Sequence, residues 1–201
     1  MKCFDSADRK SLLQCARRAL HRLRRQWRLH RERTGAGLVR HAQRCLQLDT
    51  AYVWGGLGAP ITSELLESKR EMYPDHYTEE NWQRLSRQVG RNIKGFDCCG
   101  LIKNYLMGGL EDFCYDPAMD MNTRMLLDRA EKKGTPDTMP EVPGLCLYME
   151  GHVGIYIGSG KVIEATVNPK FGDGVVQTDL KDRVWTAWFA CPGIRYGRCI
   201  P

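Results

Sequence analysis

The chain has 201 residues and carries 30 Lys and Arg against 24 Asp and Glu, a net charge of +6. This length predicts one ordinary domain with a full hydrophobic core and room for an appendage. No apolar run approaches the roughly 20 residues of a membrane-spanning helix. The nine cysteines are odd in number and have no C-x-x-C spacing, which argues against a zinc site and a disulfide framework.

The positive charge is concentrated at the start of the chain. Residues 1–45 carry a net charge of +10, which leaves −4 on residues 46–201. Arginines there surround apolar residues at spacings of three and four, which are Leu13, Ala16, Leu20, Leu23 and Trp27. This pattern predicts a basic amphipathic helix within an arm over residues 1–34.

Two interpretations of the arm remain open. The helix either packs on the rest of the protein through its apolar face or contacts an anionic surface, such as a wall polymer, a phospholipid membrane or nucleic acid. Sequence-specific nucleic-acid binding is not expected, because no zinc-finger or RNP motif accompanies the arginines.

The arm lacks the features of a secretory signal. Its apolar run is too short, and no small-residue cleavage site follows it. Reduced thiols suit a protein that is made in a cytosol. We therefore expect synthesis in the cytoplasm followed by a non-standard route of release, such as lysis, or else a start codon assigned at the wrong position.

The main domain is predicted over residues 35–201. Apolar residues at helical spacing predict a first helix from Leu38, after a glycine-rich break. Two further helices are predicted over residues 62–70 and 78–89, and Thr78 with Glu79 and Glu80 supplies the N-terminal signal of the second.

A cysteine pair stands at the start of the next predicted helix, in the stretch Gly95-Phe96-Asp97-Cys98-Cys99-Gly100-Leu101-Ile102. The first N–H groups of a helix have no partner within it and carry a partial positive charge, which lowers the pKa of a thiol placed there. A cysteine at this position is therefore a candidate nucleophile. The plainer interpretation is a pair of small buried hydrophobic residues.

The second half of the chain predicts one more helix and then a sheet. The helix covers residues 121–133, and strands follow over residues 145–148, 152–157, 161–165, 174–178 and 193–196. Trp185, Trp188 and Phe189 precede the last strand and are expected in the core or on a binding wall. Helices followed by an antiparallel sheet predict an α+β fold.

A candidate general base lies on a hairpin of this sheet. His152 opens one predicted strand, Glu164 falls near the end of the next, and the turn is predicted at Ser159-Gly160. Both residues lie at similar distances from the turn, so their side chains are predicted to come within contact. A cysteine, a histidine that accepts its proton and a polar residue that orients the imidazole form the general arrangement of a cysteine acyl-transfer enzyme.

Three motifs occur in a set order, which are Tyr-Val-Trp-Gly-Gly at 52–56, Phe-Asp-Cys-Cys-Gly-Leu at 96–101 and His-Val-Gly-Ile-Tyr at 152–156. Together they resemble the NlpC/p60 family of papain-like cysteine peptidases of bacterial cell walls, over roughly residues 38–196. Two features depart from the family. About forty residues separate the first two motifs where the family has a short link, and Glu164 stands where the family has His, Asn or Gln.

The resemblance implies roles for six residues. Cys98 is implied as the nucleophile, because Cys99 takes the place of the family's serine, and His152 as the general base that Glu164 orients. A carboxylate at 164 is expected to raise the pKa of the imidazole more than an amide would. The residues implied to bind substrate are Tyr52, Trp54 and Asp97, with the Tyr52 hydroxyl polarising the scissile carbonyl.

By this resemblance the chain is a thiol protease that hydrolyses peptidoglycan. The implied reaction is hydrolysis of an amide bond in a stem peptide, between D-Glu and the diamino acid, through a thioacyl intermediate. The charges of Asp97 and Glu164 are expected to favour a substrate with a free amine near that bond. No metal and no organic cofactor is implied, and a monomeric bacterial or phage protein acting on the cell wall is expected.

Alternatives use the same residues. One is acyl or amide transfer, in which an amine or alcohol replaces water, and another is an inactive phage-structural or wall-binding module. The presence of Cys98, His152 and Glu164 together argues against inactivity. Residues 59–95, the helical insertion between the first two motifs, are interpreted either as a specificity element at the edge of the cleft or as surface decoration.

Overall fold

The computed structural model describes residues 32–197 and residue 200. The predicted helix of the basic arm lies outside the described residues, as do Cys3, Cys15 and Cys199. Contacts along the chain divide it into two units, Met1–Glu32 and Arg33–Pro201, and the elements described below belong to the second.

The helices of this unit are α1 (Gly35–Leu46), α2 (Ser63–Met72), α3 (Glu79–Ser86), α4 (Cys98–Leu106), α5 (Gly109–Asp112) and α6 (Thr123–Asp128). Short 3-10 turns cover Pro74–His76, Pro117–Met119, Pro136–Thr138 and Leu180–Asp182. Over the described ranges, none of these helices combines the length and the apolar character that crossing a membrane requires.

The strands are β1 (Thr50–Tyr52), β2 (Leu57–Pro60), β3 (Lys94–Phe96), β4 (Lys133–Gly134), β5 (Cys146–Met149), β6 (His152–Gly158), β7 (Lys161–Asn168), β8 (Gly172–Asp179) and β9 (Ala187–Phe189). The larger sheet is antiparallel, with the order β4-β9-β5-β6-β7-β8. Helices packed on this sheet confirm the predicted α+β class.

A second, three-stranded sheet was not predicted from the sequence. Its order is β1-β3-β2, with β1 parallel and β2 antiparallel to β3. Each strand has only three or four residues, and β3 is separated from β1 by the whole helical insertion. Such short, distant pairings leave no periodic pattern in a sequence.

The hairpin between β6 and β7 confirms the predicted turn. Gly158 pairs with Lys161, and the two residues between them, Ser159 and Gly160, have φ angles of 52° and 68°. Positive φ at both central positions belongs to a type I′ turn, whose twist matches that of the flanking strands. The hairpin therefore carries His152 at the start of one strand and Glu164 within the other.

The main core lies between the helices and the larger sheet. Helices α1 and α4 pack against each other and against β6 and β7. Every residue of α4 except Tyr105 is buried, as expected for a helix that is apolar on most of its surface. The first residue of α4, Cys98, is thus held in a rigid part of the molecule.

The helical insertion has a small core of its own. Thr62 Oγ1 accepts the N–H of Leu65 at 3.2 Å, and Thr78 Oγ1 accepts the N–H of Asn81 at 3.4 Å, so a threonine caps each helix of the insertion, as predicted for Thr78. Buried residues of the insertion and of the small sheet pack together, and they are Ala51, Val53, Ile61, Leu66, Tyr77 and Leu85. The insertion is therefore anchored beside β1.

Two predicted elements in the second half of the chain were wrong in extent or place. The helix predicted over 121–133 covers only Thr123–Asp128, because Lys133–Gly134 pairs with β9. The last strand is Ala187–Phe189 rather than residues 193–196, where Gly193 has a φ of 77° and leaves the extended conformation. In both cases a long-range pairing outweighs the local preference.

The first helix begins three residues before the predicted start at Leu38. Thr34 Oγ1 accepts the N–H of Gly37 at 3.1 Å and so caps α1. The Arg33 carbonyl accepts the N–H of Arg195 at 2.7 Å. Residues 33 and 34, which the sequence assigned to the arm, therefore bond to the main domain.

Candidate active site

The candidate nucleophile, Cys98, occupies the first turn of α4. Asp97 caps this helix, since its Oδ1 accepts the N–H of Gly100 and its Oδ2 accepts the N–H of Gly55 at 2.8 Å. The Asp97 N–H in turn donates to the Gly56 carbonyl at 3.1 Å. A Cβ at Gly100 would lie 1.8 Å from that carbonyl oxygen, so this position requires glycine. These contacts bring the first two sequence motifs together.

The thiol of Cys98 is buried and acidic. Hydrogen bonds from Cys99, from His152 and from the N–H of Val153 hold the pKa of Cys98 well below its usual range, against the effect of burial. The hydrogen bond with Cys98, together with burial, raises the pKa of Cys99 well above its usual range. The negative charge therefore resides on Cys98, and Cys99 remains a protonated donor.

His152 lies beside this thiol. Its Nε2 bonds to Oε2 of Glu164, and its side chain keeps 15% of its surface exposed. Burial disfavours the imidazolium, but hydrogen bonds with Cys98 and Glu164 outweigh burial and raise the pKa of His152 to about 9. Since the pKa of the thiol is lowered and that of the imidazole is raised, both shifts favour the ion pair of thiolate and imidazolium over the neutral pair.

Glu164 is fully buried and ionised. Burial alone would raise the pKa of this carboxyl, but hydrogen bonds with His152, Arg183 and Thr178 lower it. Arg183 donates through Nη2 at 2.9 Å and through Nε at 3.2 Å, and the Thr178 hydroxyl donates at 2.7 Å. A buried carboxylate with this many partners is a rigid acceptor that fixes the orientation of the imidazole.

Arg183 is a site residue that the sequence analysis missed. It reaches Glu164 from beyond the end of β8, its Cζ lies 4.4 Å from the ring centroid of Phe171, and its Nη2 donates to Thr166 at 3.1 Å. No motif or spacing marks this pairing. The one available signal is chemical, because a carboxylate in the middle of a buried strand requires a counter-charge.

Two aromatic residues frame the Cys98 and His152 pair. The Trp185 ring stacks on the imidazole, with centroids 5.9 Å and planes 16° apart, so this buried tryptophan supports the base. Tyr52 interacts with Cys98 through its hydroxyl, and burial, together with the charge on that thiol, raises the pKa of Tyr52. The phenol therefore keeps its proton and can donate it to a thiolate or an oxyanion.

Trp54 and Asp97, both predicted to bind substrate, occupy different environments. Trp54 lines the cleft and stacks on His76, with ring centroids 3.5 Å apart. Both carboxylate oxygens of Asp97 accept main-chain N–H groups, and burial raises the pKa of Asp97 to about 6. The expectation that Asp97 and Glu164 give the cleft negative charge is therefore corrected, because both carboxylates bond inside the protein.

A cleft of about 340 Å³ lies at this centre. From the motifs and the hairpin it is lined by Tyr52, Trp54, His152, Thr166 and Val167. From the helical insertion it is lined by Asp75, His76, Tyr77, Asn81, Arg84 and Leu85. The insertion thus supplies about half of the lining, which favours its interpretation as a specificity element.

Comparison with known proteins finds solved structures that are similar to this chain. No protein-family model and no curated protein matches the chain. The fold is similar to NlpC/p60 domains. The NlpC/p60 domain of the peptidoglycan hydrolase SagA is 19% identical, with a TM-score of 0.44 over 78% of this chain and 98% of that one.

Two mycobacterial structures are similar to the same degree. The P60 domain of antigen MAP1204 from M. avium subspecies paratuberculosis is 21% identical, with a TM-score of 0.45 over 81% of this chain and 98% of that one. The peptidoglycan hydrolase RipB from Mycobacterium tuberculosis is 19% identical, with a TM-score of 0.45 over 81% of this chain and 67% of that one.

One group of potential metal ligands occurs within the described part of the chain. It consists of Asp97, Cys98 and Cys99, whose ligand atoms lie within 4.8 Å of one another. Both oxygens of Asp97 already accept N–H groups, which leaves two thiols as free ligands. Zinc in proteins generally takes three or four protein ligands, so this group does not form a complete site.

Proposed function

We propose that this protein is a cysteine peptidase that hydrolyses amide bonds in the stem peptides of bacterial peptidoglycan. The observation that carries the proposal is the acidic thiol of Cys98 at a helix N-terminus, beside a His152 that a buried Glu164 orients. This is the arrangement of a nucleophile, a base and an orienting group that acyl transfer through a thioester requires.

In the first half of the proposed reaction, the Cys98 thiolate attacks the carbonyl carbon of the scissile amide and forms a C–S bond. The oxyanion accepts hydrogen bonds from the Tyr52 hydroxyl and from the main-chain N–H at the start of α4. His152 bonds to Glu164 through Nε2, so its Nδ1–H faces the thiol and gives its proton to the leaving amine. The C–N bond then breaks, and a thioacyl enzyme remains.

In the second half, the neutral His152 takes a proton from water, and the resulting hydroxide attacks the thioester carbonyl. The C–S bond breaks, the acid product leaves, and the thiolate and imidazolium are restored. Glu164 stays ionised throughout because Arg183 and Thr178 hold its charge. Its task is to keep the imidazole in one tautomer and one orientation.

The substrate in this proposal follows from the resemblance of the three motifs to cell-wall peptidases. The bond between D-Glu and the diamino acid is the one we assign. The cleft offers Trp54 stacked on His76 as an apolar surface and Asp75 and Asn81 as polar groups, a lining suited to a peptide.

The experiment is mass spectrometry of muropeptides after incubation with the purified protein. We expect fragments that have gained one water at the assigned bond. In Cys98→Ser the rate of hydrolysis is expected to fall by roughly 10³-fold or more. Cys99→Ser should keep most of the rate of hydrolysis, because a serine hydroxyl also donates to the thiolate. Cys114→Ser, at an exposed free cysteine, serves as the control. Equal loss in Cys98→Ser and Cys99→Ser would contradict the assignment of the nucleophile. Products extended by an amine instead of water would identify a transferase.

A further inference from the structure

The main chain of Tyr52 is held from outside its sheet by two charged side chains. Asp173 Oδ1 accepts the Tyr52 N–H at 2.7 Å, and Arg84 Nη2 donates to the Tyr52 carbonyl at 2.9 Å. Arg84 Nη1 and Asp173 Oδ2 are in turn 2.5 Å apart. Three elements, β1, α3 and β8, therefore meet in a closed ring of bonds around one residue.

The position of β1 explains why such a ring is needed. β1 is an edge strand, with the order β1-β3-β2, so one of its sides has no neighbouring strand in that sheet. Val53 N–H points to β3 and bonds to Phe96, which leaves the N–H and C=O of Tyr52 on the free side. Edge groups of this kind must find other partners when they are shielded from water.

The ion pair is well suited to hold this edge. The side chains of Arg84 and Asp173 keep only 24% and 32% of their surfaces exposed, so water screens their attraction less than on an open surface. Each side chain uses one atom for the ion pair and another for the Tyr52 main chain, which fixes the planar guanidinium in one orientation. Rotation of Tyr52 would break both main-chain bonds together.

We infer that Arg84 and Asp173 are a positioning pair that holds the Tyr52 hydroxyl against the thiol of Cys98. The inference rests on the peptidase function proposed above, in which that hydroxyl stabilises the oxyanion. It gives the helical insertion a second task, since Arg84 belongs to α3. The insertion lines the cleft and also fixes one group of the catalytic centre.

The test is the pH dependence of Cys98 alkylation by iodoacetamide in the full-length protein, followed by peptide mapping. The thiol is faced by Asp97 and Cys99 from its own segment, by His152 from β6 and by Tyr52 from β1. In Arg84→Gln and in Asp173→Ala the displaced hydroxyl no longer donates to the thiolate, so the midpoint of alkylation should move to higher pH in both, by about 0.5 to 1 unit.

The common direction of the two shifts is decisive. If the pair acted through its charges alone, removing Arg84 would raise the midpoint and removing Asp173 would lower it. Tyr52→Phe should produce the same upward shift, and the double variant Arg84→Gln/Tyr52→Phe should shift no further than Tyr52→Phe does. Opposite shifts in the two single variants, or additive shifts in the double variant, would overturn the inference.

Two further variants extend the alkylation experiment, one as a control for loss of an ion pair and one as a milder change at Arg84. Lys161→Gln breaks the ion pair of Lys161 with Asp179, 2.7 Å apart at the other end of the β7–β8 hairpin, and should leave the midpoint unchanged. Arg84→Lys can bond to Asp173 or to the Tyr52 carbonyl but not to both in the planar geometry, so an intermediate shift is expected even if Arg84→Gln fails to fold. A midpoint in Arg84→Lys equal to that of the unaltered protein would count against the inference.

Hydrolysis of muropeptides gives a second readout. The value of kcat should fall about tenfold in Arg84→Gln while KM changes less than about threefold, because the displaced group acts on the transition state. A rise in KM with kcat unchanged would place Arg84 in substrate binding instead and overturn its positioning role. Alkylation needs no substrate, so it decides the inference even where the proposed peptidase reaction fails.

Discussion

Single charged residues control the protonation of Cys98 and His152. The positive charge of Arg183 partly offsets the negative charge of Glu164 beside the imidazole. The resemblance to the family implies that Glu164 orients the imidazole and raises its pKa more than an amide would. In the structure the same carboxylate also accepts two hydrogen bonds from the Arg183 guanidinium. Burial opposes the imidazolium, and hydrogen bonds with Cys98 and Glu164 still raise the pKa of His152 to about 9, while Arg183 lowers the pKa of Glu164 and so keeps that carboxylate charged.

Glu164→Gln should move the alkaline limb of the pH–activity profile downward, by about 1 unit or more. This limb reports the loss of the imidazolium, and the substitution removes the charge that stabilises it while leaving Arg183 nearby. Arg183→Gln is the matched variant, and its alkaline limb should move upward because Glu164 then faces His152 without a counter-charge. Measured kcat/KM profiles check both signs. Limbs that stay in place in both variants would mean that Glu164 does not act on His152.

Cys98 should be the first cysteine alkylated by iodoacetamide below neutral pH, although Cys114 is far more exposed. The thiolate is the reactive form, and the pKa of Cys98 is well below its usual range because Cys99 and His152 donate to it. Peptide mapping after a short exposure gives the order of labelling. Faster labelling of Cys114, or of Cys3 or Cys199, by a wide margin would remove the support for an activated thiol.

At the scale of elements, the packing of α1 on α4 buries a titratable group away from the site. His41 of α1 is 6% exposed and lies 3.5 Å from the Cys45 sulfur. Burial, reinforced by the charge of Arg44, lowers the pKa of His41 to about 4. The contact between the two helices therefore depends on a neutral imidazole.

This burial predicts a loss of stability in acid. Because the folded pKa of His41 is below the unfolded value of 6.5, the stability is complete above pH 6.5 and is lost as the pH falls toward 4. The loss from this group between about pH 7 and about pH 5 should be about 2 kcal/mol. Urea unfolding of the unaltered protein and of His41→Leu checks it, since the variant should lose that much less over the same interval. Equal losses in both proteins would assign the acid sensitivity to other groups.

At the scale of the whole molecule, the charge is divided between two parts of the chain. Residues 1–31 carry 10 Lys and Arg against 2 Asp, whereas the chain as a whole has a net charge of only +6. The contact of this arm with an anionic wall or membrane remains a proposal, and the arm itself lies outside the described residues. Its boundary with the main domain lies near residue 32, because Arg33 and Thr34 bond to that domain.

Deletion of residues 1–31 should leave a folded domain with unchanged turnover on a small stem peptide. Activity on intact anionic walls should fall, and the deficit should shrink as salt rises, since attraction between charges is screened over roughly 8 Å at physiological ionic strength. A deletion of residues 1–34 is the instructive control. It also removes the Thr34 cap and should cost about 1 kcal/mol of stability in urea unfolding. Aggregation of the shorter deletion, or identical salt responses with and without the arm, would contradict the proposal.

The features that the sequence determined by itself depend on neighbouring residues. The turn at Ser159 and Gly160 and the threonine caps of α2 and α3 are set by interactions within three or four positions of the chain. The place of Cys98 at the start of α4 has the same local origin, since Asp97 caps that helix through Gly100. Predictions of this kind succeed because a few adjacent side chains supply most of the energy.

Only the tertiary structure decided the features that join distant parts of the chain. Arg183 on Glu164, Asp173 on Tyr52 and the placement of β9 all rest on pairings that leave no periodicity or spacing in the sequence. The partner of Asp97 was also unpredictable from the sequence. Its carboxylate was predicted to bind the substrate, but it accepts the N–H of Gly55, 42 positions away. Such partners are selected by burial: once the fold removes a charge or an edge N–H from water, whichever complementary group lies in reach must satisfy it.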